Sequence, residues 1–180
     1  GYGILLGSGL RNISIMNGFI QGGVTNNGSN VFSGTGFSYG LSYSGTVLGN
    51  VLVSRVSVLG CLNHAINLGN GDSTIVDSCM ARTMGGTGII ASTVKASSAC
   101  DCGMSGIVAQ QASDCRGQCA TGKGISALIA LNCYGVSDSG YGIDGYTAQN
   151  CYGYSRGIAI SAYSAQNCYG YSANNSYGIY

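Results

Sequence analysis

The sequence predicts an all-β solenoid of about eight stacked rungs, in which short strands form three parallel sheets. Three observations lead to this prediction. A motif recurs at steps of about 18 residues, several columns of similar residues keep the same register, and the chain has 32 Gly and no Pro. Repeats of 17 to 23 residues are too short for two-helix units, and abundant Gly, Ser and Asn disfavour helix.

The motif is clearest near the end of the chain, where YTAQNCYGYS (146–155) is followed by YSAQNCYGYS (163–172). A looser copy, LIALNCYGVS, covers 128–137. Stepping back from the Asn of each copy gives one anchor residue for each of six rungs: Ser78, Ala96, Asp114, Asn132, Asn150 and Asn167. The residue after the anchor is Cys in five of these rungs: Cys79, Cys115, Cys133, Cys151 and Cys168.

Two further columns share this register, which chance alone rarely produces. A column of small apolar residues lies two positions before the anchors, at Val76, Val94, Ala112, Ala130, Ala148 and Ala165. A column of isoleucines opens the rungs, at Ile66, Ile89, Ile107, Ile125, Ile143 and Ile160, with Ile179 one step further.

The first third of the chain is less regular. VLVSRVSV (51–58) aligns with TIVDSCMA (74–81) at a step of 23, and NISIMNGFI (12–20) is the first full copy, with Asn17 as its anchor. Extra material lies between the first two copies. We therefore expect one β-helix domain over 1–180, with longer, irregular rungs in 1–64, an insertion near 24–40 and regular rungs in 65–180.

Each unit contains short apolar or alternating runs separated by Gly, Ser or Asn, which is typical of strands joined by turns. Three short strands and three turns account for the length of a unit. Stacked units then form a solenoid. The absence of Pro agrees with this interpretation, because every interior strand must donate its backbone N–H groups to a ladder.

Two stretches carry a resemblance to a known family. RNISIMNGFIQGG (11–23) is similar to a first rung of the right-handed parallel β-helix of the pectin-lyase-like superfamily. The recurring pattern of Gly-Ile, a small residue, Ala, Asn-Cys and Gly resembles repeats of large secreted bacterial β-helix proteins. The resemblance implies an extracellular or cell-surface location. It also implies a structural turn ladder between the second and third strands, formed by Asn17, Asp114, Asn132, Asn150 and Asn167.

In such a rung the Cys after the bend points inward. The resemblance therefore implies a core cysteine ladder of Cys79, Cys115, Cys133, Cys151 and Cys168. Side chains in a ladder run parallel rather than toward one another, which favours reduced thiols over disulfides. Cys61, Cys100, Cys102 and Cys119 lie outside the column, and a bridge between Cys100 and Cys119 is left open. Cys-x-x-His at 61–64 has no second pair, so we expect no metal.

The tyrosine after each of the last three cysteines points outward. We expect an exposed surface-contact stripe of Tyr134, Tyr152 and Tyr169, continued by Arg116, and a second line of Tyr154 and Tyr171. Two interpretations stay open. The stripe contacts sugar rings or a neighbouring protein, or stacked tyrosines stabilise adjacent strands.

Composition and motifs argue against several functions. The net charge of +1 offers no electrostatic case for nucleic acid, and no apolar run is long enough to span a membrane. The chain has six Asp and no Glu, and it lacks the catalytic motifs of polygalacturonase-like relatives. Asp138 aligns one rung from Arg156, which predicts a surface ion pair. We expect no catalytic residues and no cofactor.

These observations favour a structural, non-enzymatic extracellular solenoid that forms part of a fibre, stalk or adhesin. The alternative is a carbohydrate-binding or polysaccharide-degrading β-helix module, either a lyase or a glycoside hydrolase. GYGI (1–4) and SYGIY (176–180) both read as the start of a rung. The expected partner is therefore a second copy of the chain, stacked head to tail or side by side, or the remainder of a longer β-helix; carbohydrate is the other candidate partner.

Overall fold

The structure is a computed structural model that describes residues 1–46, 48–71, 73–174 and 176–180. It is an all-β parallel solenoid, as the sequence predicts. Within these ranges, seventeen strands form one continuous hydrogen-bonded network in which each strand pairs in parallel with strands of the neighbouring rungs. The two remaining strands, β3 (Gly23–Asn26) and β4 (Phe32–Thr35), form an antiparallel hairpin inside the predicted insertion.

Eight rungs follow one another in the described part of the chain. The first three consist of β1 (Tyr2–Leu6) and β2 (Arg11–Gln21), then β5 (Tyr39–Tyr43) and β6 (Gly49–Cys61), then β7 (Ile66–Asn67), β8 (Thr74–Asp77) and β9 (Met80–Met84). The fourth to sixth are β10 (Ile89–Lys95) with β11 (Ser98–Cys102), β12 (Ile107–Ser113) with β13 (Arg116–Cys119), and β14 (Lys123–Leu131) with β15 (Tyr134–Ser137). The last two are β16 (Tyr141–Gln149) with β17 (Tyr152–Ser155), and β18 (Ile158–Gln166) with β19 (Tyr169–Ser172).

Each rung contributes to three faces, which we number in chain order. The longer strand of a regular rung bends in the middle, where one residue is skipped in the pairing with the next rung, as at Gln110, Leu128 and Tyr146. The part before this bend lies on face 1 and the part after it on face 2. The shorter strand lies on face 3. The three parallel sheets predicted from the length of the repeat are therefore present.

The turn from face 2 to face 3 uses a single residue in the left-handed conformation in every rung. The φ angles lie between 44° and 58° at Asn17, Arg55, Ser78, Ala96, Asp114, Asn132, Asn150 and Asn167. Asn and Asp adopt this conformation more readily than other non-glycine residues, because their short polar side chains bond locally. The repeated Asn therefore marks a bend that the backbone makes once in each rung.

The core runs the length of the solenoid and consists of stacked identical residues. The six isoleucines from Ile66 to Ile160 are in register and fully buried on face 1. Glycines of face 3 lie opposite isoleucines of face 1 in the last four rungs, and the glycine of the last rung faces Ile179. A Cβ added to Gly153 would overlap the carbonyl oxygen of Ala159 and lie 2.5 Å from Cγ1 of Ile160. The Gly in NCYGYS is therefore required by the close approach of two faces.

Candidate interaction surface

The outer surface of face 3 carries a stack of three tyrosines in the last three rungs. The ring centroids of Tyr134 and Tyr152 are 5.0 Å apart with 6° between the ring planes, and those of Tyr152 and Tyr169 are 5.2 Å apart with 21°. Backbone register places these three residues directly over one another. The guanidinium carbon of Arg116 lies 5.3 Å from the Tyr134 centroid, so the arginine continues the stack by one rung.

Two other tyrosine pairs stack in the last two rungs, and Tyr2 stacks on Tyr39 between the first two rungs. Tyr154 and Tyr171 form the second line expected on face 3, with centroids 5.6 Å apart. Tyr146 and Tyr163 form a pair that the sequence analysis missed, with centroids 4.9 Å apart at the bend between faces 1 and 2. The sequence carries a signal for this pair. Tyr146 and Tyr163 are the first residues of two motif copies, YTAQNC and YSAQNC, that lie 17 residues apart and therefore stack in register.

The direction of stacking determines what this surface offers to a ligand. Because the rings stack along the solenoid axis, each inner ring has both faces covered by its neighbours. Arg116 covers one face of Tyr134, and Tyr152 lies between Tyr134 and Tyr169. The stripe therefore presents ring edges and phenol hydroxyls, whereas a sugar that packs on an aromatic residue uses the ring face. Partial desolvation, with a smaller contribution from the neighbouring phenols, raises the pKa of Tyr152.

The side chains at the face 2 to face 3 bend form a hydrogen-bonded line. Nδ2 of Asn132 donates to Oδ1 of Asp114 at 3.1 Å, Nδ2 of Asn150 donates to Asn132 at 3.1 Å, and Nδ2 of Asn167 donates to Asn150 at 3.3 Å. Asn17 occupies the equivalent bend of the first rung but is separated from this line by rungs that carry other residues there. The line therefore spans four rungs.

The cysteines that follow the bend lie inside the solenoid and also act as donors. Sγ of Cys133 lies 3.2 Å from the carbonyl oxygen of Leu131 and 3.5 Å from that of Ala112 on the preceding rung. Cys79, Cys115, Cys151 and Cys168 repeat this arrangement. Ser97 replaces Cys in the fourth rung, and its hydroxyl donates to the Lys95 carbonyl at 2.6 Å. The column therefore selects a small side chain with a donor, and not simply an apolar one.

One cysteine of the column is less protected than the others. Cys168 is half-buried, whereas Cys79, Cys115, Cys133 and Cys151 are each 3% exposed. Cys168 still packs against the core and makes the same contacts as the other four, but it is less covered. The cause is that Cys168 lies in the last full rung. Ala165, which belongs to the column of small apolar residues, is also exposed in this rung.

The four cysteines outside this column are free thiols. The bridge left open between Cys100 and Cys119 is not formed, because Cys119 is in register with Cys102 and not with Cys100. Cys61, Cys102 and Cys119 are buried in the core, and desolvation raises the pKa of each, to about 11 for Cys61. A thiol held protonated is a poor nucleophile, so we expect these three thiols to have low reactivity.

The aspartates that the structure describes each have a side-chain partner, and these partners lie in different parts of the molecule. The pairs are Asp77 with Ser78, Asp101 with Asn26, Asp114 with Asn132, Asp138 with Asn30, and Asp144 with Lys123. The ion pair expected between Asp138 and Arg156 is not formed; Asn30 of the hairpin loop contacts Asp138 instead. Asp72 lies outside the described residues.

Comparisons with protein-family models, with curated proteins and with solved structures found no match for this chain. Within the described ranges, no helix has the length and apolar character needed to cross a membrane. In the same ranges, no three His, Cys, Asp or Glu side chains are grouped as metal ligands would be.

Proposed function

We propose that this chain is a structural, non-enzymatic extracellular β-solenoid that forms part of a fibre, stalk or adhesin. One observation carries the proposal. The residue types that suggest chemistry in the sequence, namely Asn, Cys, Tyr and Asp, are engaged with one another or with the backbone from rung to rung. Such like-on-like contacts stabilise a long, regular rod.

The same features support membership of the pectin-lyase-like superfamily of right-handed β-helices. Each rung contributes to three faces, and the single-residue bend between the second and third faces carries the stacked asparagines in the last rungs. The proposal of an extracellular or cell-surface location follows from this resemblance. Superfamily membership by itself gives no function, since one fold supports many activities.

We also propose that the rod extends by strand pairing at its ends, either with a second copy of the chain or with further rungs of the same polypeptide. In the first rung, β1 pairs with β5 and β2 with β6, and no strand among the described residues pairs with the opposite edge of either. A contact of this head-to-tail kind does not close on itself and grows into a filament.

Negative-stain electron microscopy of the purified chain tests self-assembly. We expect filaments with an axial repeat of about 40 Å, because eight rungs are spaced about 4.8 Å apart. Monodisperse monomers at every concentration would reject assembly by the chain itself. Incubation with pectin, alginate and related polymers tests the non-enzymatic part. Release of new sugar ends, abolished by replacing a single Asp, would overturn it.

A further inference from the structure

Four consecutive rungs place a thiol at the same point inside the solenoid, next to the bend from face 2 to face 3. We call these four side chains, Cys115, Cys133, Cys151 and Cys168, the thiol row. Each Sγ atom lies 3.1–3.2 Å from the carbonyl oxygen two residues earlier and 3.4–3.5 Å from a carbonyl oxygen of the preceding rung. Because this geometry repeats, neighbouring sulfur atoms are separated by the rung spacing of about 4.8 Å and form a line parallel to the axis. The Cys133 thiol also contacts those of Cys115 and Cys151.

The spacing of the thiol row matches the span of one metal ion bound between two sulfurs. A metal–thiolate bond is about 2.3 Å long, so an ion held in line between two thiolates spans about 4.6 Å. This span differs from the rung spacing by about 0.2 Å, which is within the tolerance of a metal site. Thiolates select soft ions such as Cu⁺. An ion with two sulfur ligands in line does not need a group of three donors, which the described residues lack.

Loss of the thiol protons leaves no carbonyl group without a partner. The carbonyl oxygen nearest to each sulfur also accepts a backbone N–H from the bend residue of the preceding rung. These backbone hydrogen bonds run from Ala96 to Ser113 at 3.0 Å, from Asp114 to Leu131 at 3.0 Å, from Asn132 to Gln149 at 2.9 Å and from Asn150 to Gln166 at 2.9 Å. A buried acceptor that keeps one donor avoids the cost of an unpaired polar group. The sulfurs are therefore free to exchange a proton for another cation.

We propose that the thiol row binds a soft monovalent metal ion, Cu⁺ or an ion of the same class, in each gap between neighbouring sulfurs. Four thiols enclose three gaps, and the two inner sulfurs, those of Cys133 and Cys151, each bridge two ions. Every ion that enters displaces one thiol proton, so the net charge of the buried row does not change. This exchange avoids the cost of burying an uncompensated charge. No bond is oxidised or reduced, and the binding does not depend on filament formation.

The two ends of the thiol row differ. Cys168 is half-buried, so ions enter the row there. At the other end, the rung before Cys115 carries Ser97, and a hydroxyl is a poor ligand for a soft ion. Ser97 also separates Cys79 from the row. Cys79 occupies the same column and is as buried as the inner cysteines, but its column neighbours are Val56 and Ser97. It therefore provides a matched thiol without a sulfur neighbour in the column.

Equilibrium dialysis against Cu⁺ held by a competing chelator, with a reductant and without oxygen, measures how many ions one chain binds. Each variant is compared with the parent chain, so ions held by other thiols cancel. Cys151→Ser should lower the number by two, because it removes the gaps on both sides of this sulfur. Ser97→Cys should raise it by two, because it joins Cys79 to the row. Cys79→Ser is the matched control and should leave the number unchanged.

X-ray absorption of the loaded chain should show two sulfur neighbours for each ion. Equal losses for Cys151→Ser and Cys79→Ser would show that buried thiols bind singly and would overturn the proposal. Nitrogen or oxygen neighbours would overturn it too. So would a failure to bind Cu⁺ both in the native chain and in the chain refolded with Cu⁺, since refolding removes any barrier to entry. Thermal melts of the metal-free variants show whether they fold, and Ser97→Cys decides the test if Cys151→Ser does not.

Discussion

Asn150 donates a side-chain hydrogen bond to Asn132 one rung away, at 3.1 Å, and both residues have the same left-handed φ of 52°. One side chain therefore does two things. It tolerates a backbone conformation that most residues avoid, and it links neighbouring rungs at the outer edge of the bend. These two contributions are separable by mutation.

Asn150→Ala should lower the free energy of unfolding by about 1–3 kcal/mol, because it loses the hydrogen bonds and places a Cβ without a polar group at positive φ. Asn150→Gly should cost less, since glycine adopts this conformation without strain. Chemical denaturation of both variants measures the difference. An unchanged stability for Asn150→Ala would show that the line of asparagines contributes nothing.

Replacements of Cys151 test whether the column requires a donor. Cys151→Ser should be tolerated within about 1 kcal/mol, because Ser97 already fills the equivalent position and donates to a backbone carbonyl. Cys151→Asp should be severely destabilising, since it buries a carboxylate with no positive partner. Thermal melts of the two variants provide the measurement. A folded, stable Asp variant would mean that this position is open to water.

Reaction with a thiol reagent at pH 8 should divide the cysteines into two groups. The half-buried Cys100 and Cys168 should react in the native protein, and the buried cysteines should react only after denaturation. The hydrogen bond with Cys115 is the main cause that raises the pKa of Cys133, to about 12, so that its thiol stays protonated. Mass spectrometry after labelling identifies the modified positions. Rapid native labelling of Cys133 would contradict its inward position.

The raised thiol pKa values also predict a dependence of stability on pH. Burial raises the folded-state pKa of the Cys61 thiol to about 11, above the ordinary value of 9.0. The contribution of this thiol to stability is therefore fully present below pH 9 and is lost as the pH rises toward the folded-state value, because the unfolded chain ionises first. Denaturation midpoints between pH 8 and pH 11 should fall, and Cys61→Ser should reduce the slope. A flat profile would exclude this linkage.

The sequence was sufficient to predict the solenoid because each rung meets the same packing problem. A residue such as Ile125 or Asn150 recurs in register, so its column gives both the period and the faces. The hairpin of β3 and β4 could not be predicted in the same way, because it occurs once and has no column to compare. The contact of the hairpin with the solenoid, from Asn26 to Asp101, joins residues 75 positions apart in the chain.

Aligning the repeats also could not predict the partners of several polar side chains. A step of 18 residues correctly places Asp138 near Arg156 in the repeat, but the hairpin loop brings Asn30 to Asp138 from outside the repeat. Similarly, Cys100 and Cys119 looked like neighbours by spacing, and the bulge at Asp101 moved Cys102 into that position instead. Local insertions shift register by one residue, which in a strand exchanges inward and outward side chains.

The tyrosine stack allows a last prediction that separates a stabilising role from a binding role. Tyr152 has a ring stacked on each of its faces, whereas the known partner of Tyr169 is Tyr152 alone. If the stack stabilises the rungs, Tyr152→Ser should lower the free energy of unfolding more than Tyr169→Ser does. The expected difference is about 0.5–1.5 kcal/mol, the usual contribution of one aromatic pair.

Tyr152→Phe is the control, because it keeps the stack and removes only the hydroxyl. It should unfold close to the parent protein in the same denaturation experiment. Equal losses for Tyr152→Ser and Tyr169→Ser would show that stacking is not what stabilises this surface. If Tyr152→Ser instead left stability unchanged but abolished binding of an uncharged oligosaccharide, the stripe would be a sugar-binding surface that uses ring edges and hydroxyls. The coverage of both faces of Tyr152 leads us to expect the first result, a loss of stability.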